Sequence, residues 1–389
     1  MNLLSSDGFL MKILHICLYS YFTENMNYQE NFLTTQNALD GHDVCIVTDG
    51  KYYFEGSIEQ KEPEDKIIST GVRLIRVPIL KLFPSFLTDK LRIAPSLYSV
   101  IYDFSPDIIF YHGVVGVGLL AVNKYKKKYP ATNIYLDSHE DANNSGRTFI
   151  SKWVQYKFIT RFMLSFLRKK ICKIFYVSYE CREFLREMYN IKDSEMEFFP
   201  LGGLIKDREE KKLIRNRIRK CLNLNQNDVL FIHSGKLDKE KKTKEILNSF
   251  YKVNNENLKL LIAGNIPESN SELLHLIKRD NRVIYLGWLD GNELVDYICS
   301  SDCYIQPGTQ SATLQIAMCC GLPVIIYPYP SHKPYLDGNG FYVRGEEDIL
   351  QKFQIIAQDS SILLSMENQS YKIAKELLDY EVLSSRYCK

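Results

Sequence analysis

The sequence predicts an α/β protein built of two Rossmann-like, doubly wound domains facing a cleft. Three observations lead there. Short apolar runs alternate with amphipathic, helix-like runs from Lys12 to Tyr189. A second alternation of the same kind runs from Val229 to Pro328. Between them lies EFFPLGG (197–203), whose proline and two glycines read as a linker. Strands that alternate with helices pair in parallel, and each such series makes one doubly wound domain.

The elements follow in order. KILHICLYS (12–20) reads as a buried strand. YQENFLTTQNALDGHDVCIVTD gives a helix ending near Gly41 and a second strand at 44–48, a βαβ unit. GVRLIRVPI (71–79), PDIIFYHG (106–113), NIYLDSHED (133–141) and KIFYVS (173–178) are further strands, the last leading into an amphipathic helix. After the linker, IKDREEKKLIRNRIRKCLNL is a highly charged helix. VLFIHSGK (229–236), LKLLIAG (258–264), RVIYLGWL (282–289), CYIQPG (303–308) and PVIIYP (323–328) are strands, with helices between them. The closing YKIAKELLDYEVLSSRYCK (371–389) reads as one helix. The expected domains are therefore 11–203 and 204–370. Ligands of such sheets sit beyond the carboxyl ends of the strands, so the loops after each strand are the ones to search.

Composition sets bounds. The chain has 389 residues, 45% hydrophobic and 25% charged, with a formal net charge of +2. That fits a globular protein and gives no field that would draw nucleic acid. The 10 cysteines show no CxxC and no zinc spacing, which predicts reduced core thiols in a cytoplasmic protein. The apolar run VVGVGLLAV is far too short to span a membrane. The N-terminus lacks the shape of a signal peptide, and Met11 reads as a natural start after a disordered residues 1–10.

Two loops carry chemistry. In QPGTQSATLQIAM a strand ends at a Pro-Gly turn and a helix is expected to begin near Ser311. The first amides of a helix lack internal partners and, with the helix dipole, form an anion site. Thr309, Gln310, Ser311, Ala312 and Thr313 are small or polar, which suits a phosphate, although a plain serine cap would look the same. In HSGKLDKEKK, Gly235 follows a strand and Lys236 and Lys241 stand five residues apart. Two cations beside the anion loop would clamp a diphosphate, although a solvated charged face is the bland alternative.

At these residues the chain resembles the bacterial nucleotide-sugar glycosyltransferases of GT-B fold, of the large retaining family 4 type. SGKLDKEKK resembles that family's G-[RK]-L-x3-K segment. LKLLIAG, RVIYLGWL, SSDCYIQPG, AMCCGLPVI and GNGFYV follow in the family's order. The resemblance implies transfer of a sugar from a nucleotide diphosphate sugar, a UDP-sugar being expected, usually with retention. It implies that Lys236 and Lys241 clamp the diphosphate and that Gly308 to Thr313 cradle phosphates and sugar. It places the base and ribose near Gly264, Gly287, Trp288 and Leu289. The sequence departs from the family at two positions, where Gly308 and Ile316 replace paired glutamates. Gln310 or Gln315 could substitute, since an amide also bonds hydroxyls.

On the acceptor side, YLDSHEDANNSGRT (135–148) crowds Asp137, His139, Glu140 and Asp141 at a strand's carboxyl end. A histidine held by Asp141 or Asp137 can act as a general base toward an acceptor hydroxyl. By resemblance His139 is the first-domain histidine of the site, and His112 reads as structural. Three consecutive residues give poor metal geometry, and no DxD triplet occurs, so neither a metal nor another cofactor is expected.

Residues 79–98 and 151–173 mix basic and apolar side chains, with Trp153, Tyr156, Ile159, Met163 and Phe166 at helical spacing. Such segments fit an anionic membrane surface or a lipid-linked acceptor, or a helix packed on the sheet. The chain is thus expected to be a glycosyltransferase of surface polysaccharide (capsule) or glycan biosynthesis, cytoplasmic and at the inner face of the membrane. The alternatives are a non-catalytic nucleotide-sugar-binding partner subunit and a UDP-N-acetylglucosamine 2-epimerase-like enzyme.

Overall fold

The computed structural model describes residues 10–54, 57–82, 84, 86–141 and 160–388. They form two compact units: residues 1–200 with Leu383–Lys389, and Leu201–Val382.

Unit 1 holds an eight-stranded sheet. In chain order its elements are β1 (Lys12–Cys17), α1 (Gln29–Leu39), β2 (Asp43–Thr48), the hairpin β3 (Lys51–Phe54) and β4 (Ser57–Gln60), β5 (Glu64–Ile67) and β6 (Arg73–Arg76). Then come α2 (Phe86–Leu91), α3 (Leu97–Phe104), β7 (Ile108–Tyr111), α4 (Gly118–Lys128), β8 (Asn133–Ser138), α5 (Arg161–Leu167), β9 (Lys173–Tyr176), α6 (Tyr179–Tyr189) and β10 (Met196–Phe198). The sheet order is β10-β9-β8-β7-β1-β2-β6-β5. All neighbours are parallel except β5, which runs antiparallel to β6 at the edge. The central strands are buried on both faces, which is why they read as unbroken apolar runs rather than alternating ones. The hairpin and β5 lie half or fully exposed and alternate too weakly to be read as strands.

Unit 2 opens on α7 (Arg208–Cys221) and continues with β11 (Val229–Ser234), α8 (Thr243–Tyr251), β12 (Leu258–Ala263), α9 (Glu272–Ile277), β13 (Val283–Gly287), α10 (Gly291–Ser300) and β14 (Cys303–Gln306). It closes with α11 (Thr313–Cys319), β15 (Val324–Ile326), β16 (Gly340–Tyr342), α12 (Glu346–Gln358) and α13 (Ile362–Leu377), and α14 (Tyr380–Ser385) begins in unit 2 and ends in unit 1. Its sheet is wholly parallel in the order β13-β12-β11-β14-β15-β16. The order reverses between β11 and β14, the switch point where doubly wound folds bind ligands.

Local chemistry explains the starts and stops. Asp207 caps α7 by accepting the Glu209 and Glu210 amides. Acidic residues fill its first turn and basic residues its last, as the helix dipole favours. Asp290 and Glu293 form a capping box at α10. The C-terminal stretch is two helices, not one. The break falls after Leu378, where Asp379 bridges to Gly203 instead of continuing the helix.

Candidate functional site

Each unit gathers one polar cluster at the carboxyl end of its sheet. In unit 2 the cluster lies at the β11/β14 switch point. Gly235 ends β11, and Gly264, one strand over, packs directly on it. A Cβ on Gly264 would stand 1.8 Å from the Gly235 carbonyl oxygen, so a glycine is required there. The Gly264 amide bonds the Gly287 carbonyl at 2.6 Å, which ties the ends of β12 and β13 together. Trp288 is 74% exposed beyond that end, and Leu289 is half-buried.

The 308–313 loop is built against the segment that follows β11. A Cβ on Gly308 would meet the Glu240 carbonyl oxygen at 2.2 Å and Lys241 backbone at 2.6 Å. Thr309 N–H donates to the Glu240 carbonyl at 3.0 Å. Lys241 is buried, and its Nζ donates to the carbonyls of Thr309 at 3.0 Å and Gln310 at 2.9 Å. An ammonium has three protons, so one remains. Burial pulls the Lys241 pKa down, and Asp238 opposes that pull. Lys236 is exposed at the strand's mouth.

The α11 helix begins at Thr313 rather than at Ser311, and its cap residue is Ala312. The Ser311 hydroxyl accepts the Thr313 amide at 3.3 Å. Among the described residues, the amides of Gln310, Ser311 and Ala312 have no acceptor. Under the loop, the buried Ser234 hydroxyl, Tyr304 hydroxyl and Gln306 Oε1 also have no hydrogen-bond partner. Burial pushes the Tyr304 phenol up to about 12, so it stays a neutral donor, and Ser311, Ser234 and Thr313 stand close enough to pull the other way as hydrogen-bonding neighbours, short of well-formed bonds. Buried polar atoms normally find partners, so this group keeps hydrogen-bonding capacity to spare beneath the loop.

Gln315 turns its amide oxygen to the linker. Its Oε1 accepts the Gly202 amide at 2.9 Å and its side chain is buried. Gln310 is exposed on the loop. Tyr304 and Gln306 were missed by sequence reasoning, yet their spacing of two on one strand puts both on one sheet face.

In unit 1 the cluster lies where β7 and β8 end. Asp137 is fully buried in β8. Its Oδ2 receives His112 Nδ1 at 2.8 Å, and its Oδ1 receives the Gly113 amide at 2.7 Å. His139 Nε2 stands 3.5 Å from Asp137 Oδ2, and its side chain is 44% exposed. Asp137 is thus a carboxylate beside His139. Asp141 is half-buried four residues from Asp137 and acts electrostatically on Cys181. Desolvation pulls His139 down, but the Asp137 carboxylate overrides it and holds the ring above its ordinary value. Burial would raise the Asp137 carboxyl, but the His112 and His139 rings hold it far below its usual range.

Glu140 differs from its neighbours. Burial lifts its carboxyl to about 7, against a hydrogen bond from the Tyr189 hydroxyl at 2.9 Å and the pull of His139. His112 is structural in the sense that it is buried, but it belongs to the cluster through Asp137.

The loop beyond Asp141 and the residues Trp153, Tyr156 and Ile159 lie outside the described residues. In the rest of that stretch Met163 is buried, while Phe162 and Phe166 are 65% and 45% exposed. The 79–98 stretch gives Arg92 and Leu97 to the interior, with Arg92 Nη1 on the Leu18 carbonyl at 2.7 Å. No described helix is long and apolar enough to cross a membrane. Among the described residues no three His, Cys, Asp or Glu side chains gather in a way that could hold a metal.

Residues 214–372 match the family model of glycosyl transferases group 1. No curated protein matches the chain significantly in sequence. Among solved structures, sucrose-phosphate synthase from Thermosynechococcus elongatus aligns with a TM-score of 0.67 at 14% identity over 97% of each chain. Anabaena HepE in complex with UDP aligns at 0.68 and 12%, over 97% of this chain and 98% of that one. A glycosyltransferase from Rickettsia africae aligns at 0.68 and 14%, over 97% and 96%. Residues 214–372 thus match glycosyl transferases group 1, within a chain that shares the GT-B fold of these solved structures.

Proposed function

We propose that this protein transfers a sugar from a nucleotide diphosphate sugar, with a UDP-sugar as donor, to a hydroxyl of a glycan or lipid-linked acceptor in surface polysaccharide biosynthesis. One observation carries the reading. Three unsatisfied amides, Gln310 to Ala312, stand beside a buried Lys241 ammonium at the switch point of unit 2. That combination suits a diphosphate, which needs several donors and positive charge in one place. Lys236 adds a second cation from the end of β11. The likeness to UDP-bound HepE supports UDP as the nucleotide, with the base near Gly264, Gly287 and Trp288.

In the reaction the bond between the anomeric carbon and the diphosphate oxygen breaks, and a bond to the acceptor oxygen forms. The negative charge that develops on the leaving diphosphate falls on the loop amides and the two lysines. The acceptor hydroxyl's proton passes to His139, which Asp137 orients. Retention of configuration is the expected outcome, and the scheme calls for no metal or other cofactor. Exposed Phe162 and Phe166, beside Arg161 and Lys169, support peripheral contact with the inner face of an anionic membrane.

A second reading, a nucleotide-sugar-binding partner subunit without catalysis, is favoured by Gly308. No side chain fits there, so no carboxylate can occupy the position. A thermal-shift screen across UDP-, GDP-, ADP- and TDP-sugars tests binding. One nucleotide class should raise the melting temperature, and Lys236→Ala should weaken binding of it roughly 10- to 100-fold, the loss of one charge-assisted contact. No shift with any nucleotide would defeat both readings. A shift without nucleotide release in the presence of acceptor extract would select the subunit.

A further inference from the structure

A continuous buried hydrogen-bond chain runs from the C-terminal segment of unit 1 to the His139 site. Its links are short. Ser384 Oγ donates to Asp40 Oδ2 at 2.8 Å, and Asn37 Nδ2 donates to Ser384 Oγ at 2.8 Å. Asn37 Oδ1 receives the Tyr387 hydroxyl at 2.9 Å and faces His15 Nε2 at 2.9 Å. His15 Nδ1 faces His112 Nε2 at 3.0 Å, and His112 Nδ1 faces Asp137 Oδ2 at 2.8 Å. His15, Asn37, Asp137, Ser384 and Tyr387 are all fully buried.

The direction of each bond can be worked out from the two ends. Reversing the Asn37 amide would leave the Tyr387 hydroxyl hydrogen without an acceptor in a fully buried position, and would take the Ser384 proton from Asp40. So Asn37 presents oxygen to His15, and His15 Nε2 must carry a hydrogen. At the other end Asp137 is an acceptor, so His112 Nδ1 must carry one too. A further hydrogen must lie between His15 Nδ1 and His112 Nε2, or two lone pairs would face each other at 3.0 Å. Two neutral rings supply only two hydrogens, and the chain demands three.

We infer that His15 and His112 together hold one permanent extra proton, and that the C-terminal segment, through Asn37, thereby tunes His139. The charge sits on His112, beside the Asp137 carboxylate, rather than on His15. The same assignment follows from burial and the His112 charge, which hold His15 down to about 3, and from His112, which burial would pull down but Cys17 and Asp137 hold well above its ordinary value. The consequence falls on His139. A lone carboxylate 3.5 Å away would hold its ring protonated, unable to accept a proton. The His112 charge partly offsets Asp137, so His139, still held above its ordinary value, becomes neutral at lower pH than it would beside a lone carboxylate. His15, Asn37 and His112 are positioning residues. The other groups facing this system are the Cys17 thiol on β1, which burial keeps protonated and which hydrogen-bonds His112, Glu30 on α1, which favours positive charge on His139, and Glu140 beside His139.

The inference rests on the reading of His139 as the acceptor's base only for its catalytic meaning. Its physical content is tested separately, on the full chain labelled with ¹⁵N-histidine. Ring nitrogen shifts should show His112 as an imidazolium and His15 as the neutral Nε2–H tautomer from about pH 6 to 8, assigned with His15→Gln and His112→Gln. Asn37→Leu removes the acceptor that fixes the chain's direction and should return the pair to two neutral rings. It should also raise the His139 pKa by about one unit. Ser384→Ala, a milder change, should move both in the same direction if Asn37→Leu does not fold. Two neutral rings in the unaltered protein, or a folded Asn37→Leu or Ser384→Ala with an unchanged His112 spectrum, would overturn the inference. In sugar transfer, Asn37→Leu should move the acid limb of kcat/KM to higher pH by the same shift. Spectra that change as expected while His139→Ala leaves transfer intact would retire His139 as the base and leave the proton count standing.

Discussion

Gly308 shows how one residue constrains the chemistry. With the Glu240 carbonyl 2.2 Å from where its Cβ would be, any side chain forces the loop off the Lys241 segment. Gly308→Ala should cost on the order of 1–3 kcal/mol, as other overpacking substitutions do. Because the displaced segment carries Lys241, the same variant should lose most of its thermal shift with the nucleotide sugar. A Gly308→Ala protein of undiminished stability and ligand response would show that the loop and the lysine are independent. The sequence displayed this glycine only as a missing glutamate. What it could not display was contact between residues 308 and 241, which depends on strands β11 and β14 being neighbours. Lys236 and Lys241 were legible as a pair. That Lys241 is buried on two loop carbonyls while Lys236 stands in solvent was not, since spacing on a loop does not fix direction.

At the scale of elements, the strands were the most legible part. β1, β2, β7, β8, β11, β12 and β14 are short, mostly apolar and buried on both faces, as parallel strands of a covered sheet are. The edge pieces β3, β4 and β5 were not, because exposed strands have no apolar face to announce them. The segment after Val382 reads in sequence as the end of one helix, but its part in the fold is played by its side chains. Tyr387 is fully buried against Phe110, Phe199, Tyr135 and His15. Arg386 donates to Glu197 Oε1 and the Phe198 carbonyl at 2.5 Å each, fastening the segment to β10. Tyr387→Ala should destabilise unit 1 by about 3–5 kcal/mol, the usual cost of removing a buried aromatic. Tyr387→Phe keeps the ring and loses one hydrogen bond, so it should cost about 1 kcal/mol. Urea unfolding of the two variants, followed by a probe in unit 1, separates packing from hydrogen bonding.

At the scale of the whole molecule, each unit carries a buried neutral histidine that sets a pH response. His15 in unit 1 is held down to about 3 by burial and by His112. His233 in unit 2 is held down to about 4 by burial, with its Nδ1 on the Ile305 carbonyl at 2.9 Å and its Nε2 on Thr243 Oγ1 at 3.0 Å. For both, the unfolded chain binds a proton near pH 6.5 that the folded chain refuses, so stability falls as pH drops below about 6.5. Asp137 adds to the loss only below its ordinary range near 4, where the unfolded carboxyl takes a proton and the folded one does not. His112 has the opposite sign: its contribution is complete below about 6.5 and is lost as pH rises through its raised folded value. In unit 1 Glu140, lifted to about 7, takes a proton in the folded state before the unfolded one does and offsets His15 over the same range, so calorimetry from pH 7 to 4 should show unit 2 melting at lower temperature and unit 1 changing less. His233→Gln should flatten the response of unit 2 and leave that of unit 1 alone. An unchanged slope for unit 2 would mean that His233 is protonated in the folded state.

The chain enters unit 2 at Leu201 and returns to unit 1 at Leu383. During synthesis, unit 1 is thus missing Ser384, Arg386 and Tyr387 while the whole of unit 2 is being made. Unit 2 can close as an uninterrupted stretch, but the aromatic core around Phe110 stays open until residue 387 has cleared the ribosome. The usual order, first domain first, is reversed for its final step. A nascent chain stalled before Leu383 should hold a protease-resistant second unit beside a first unit that is still readily cut.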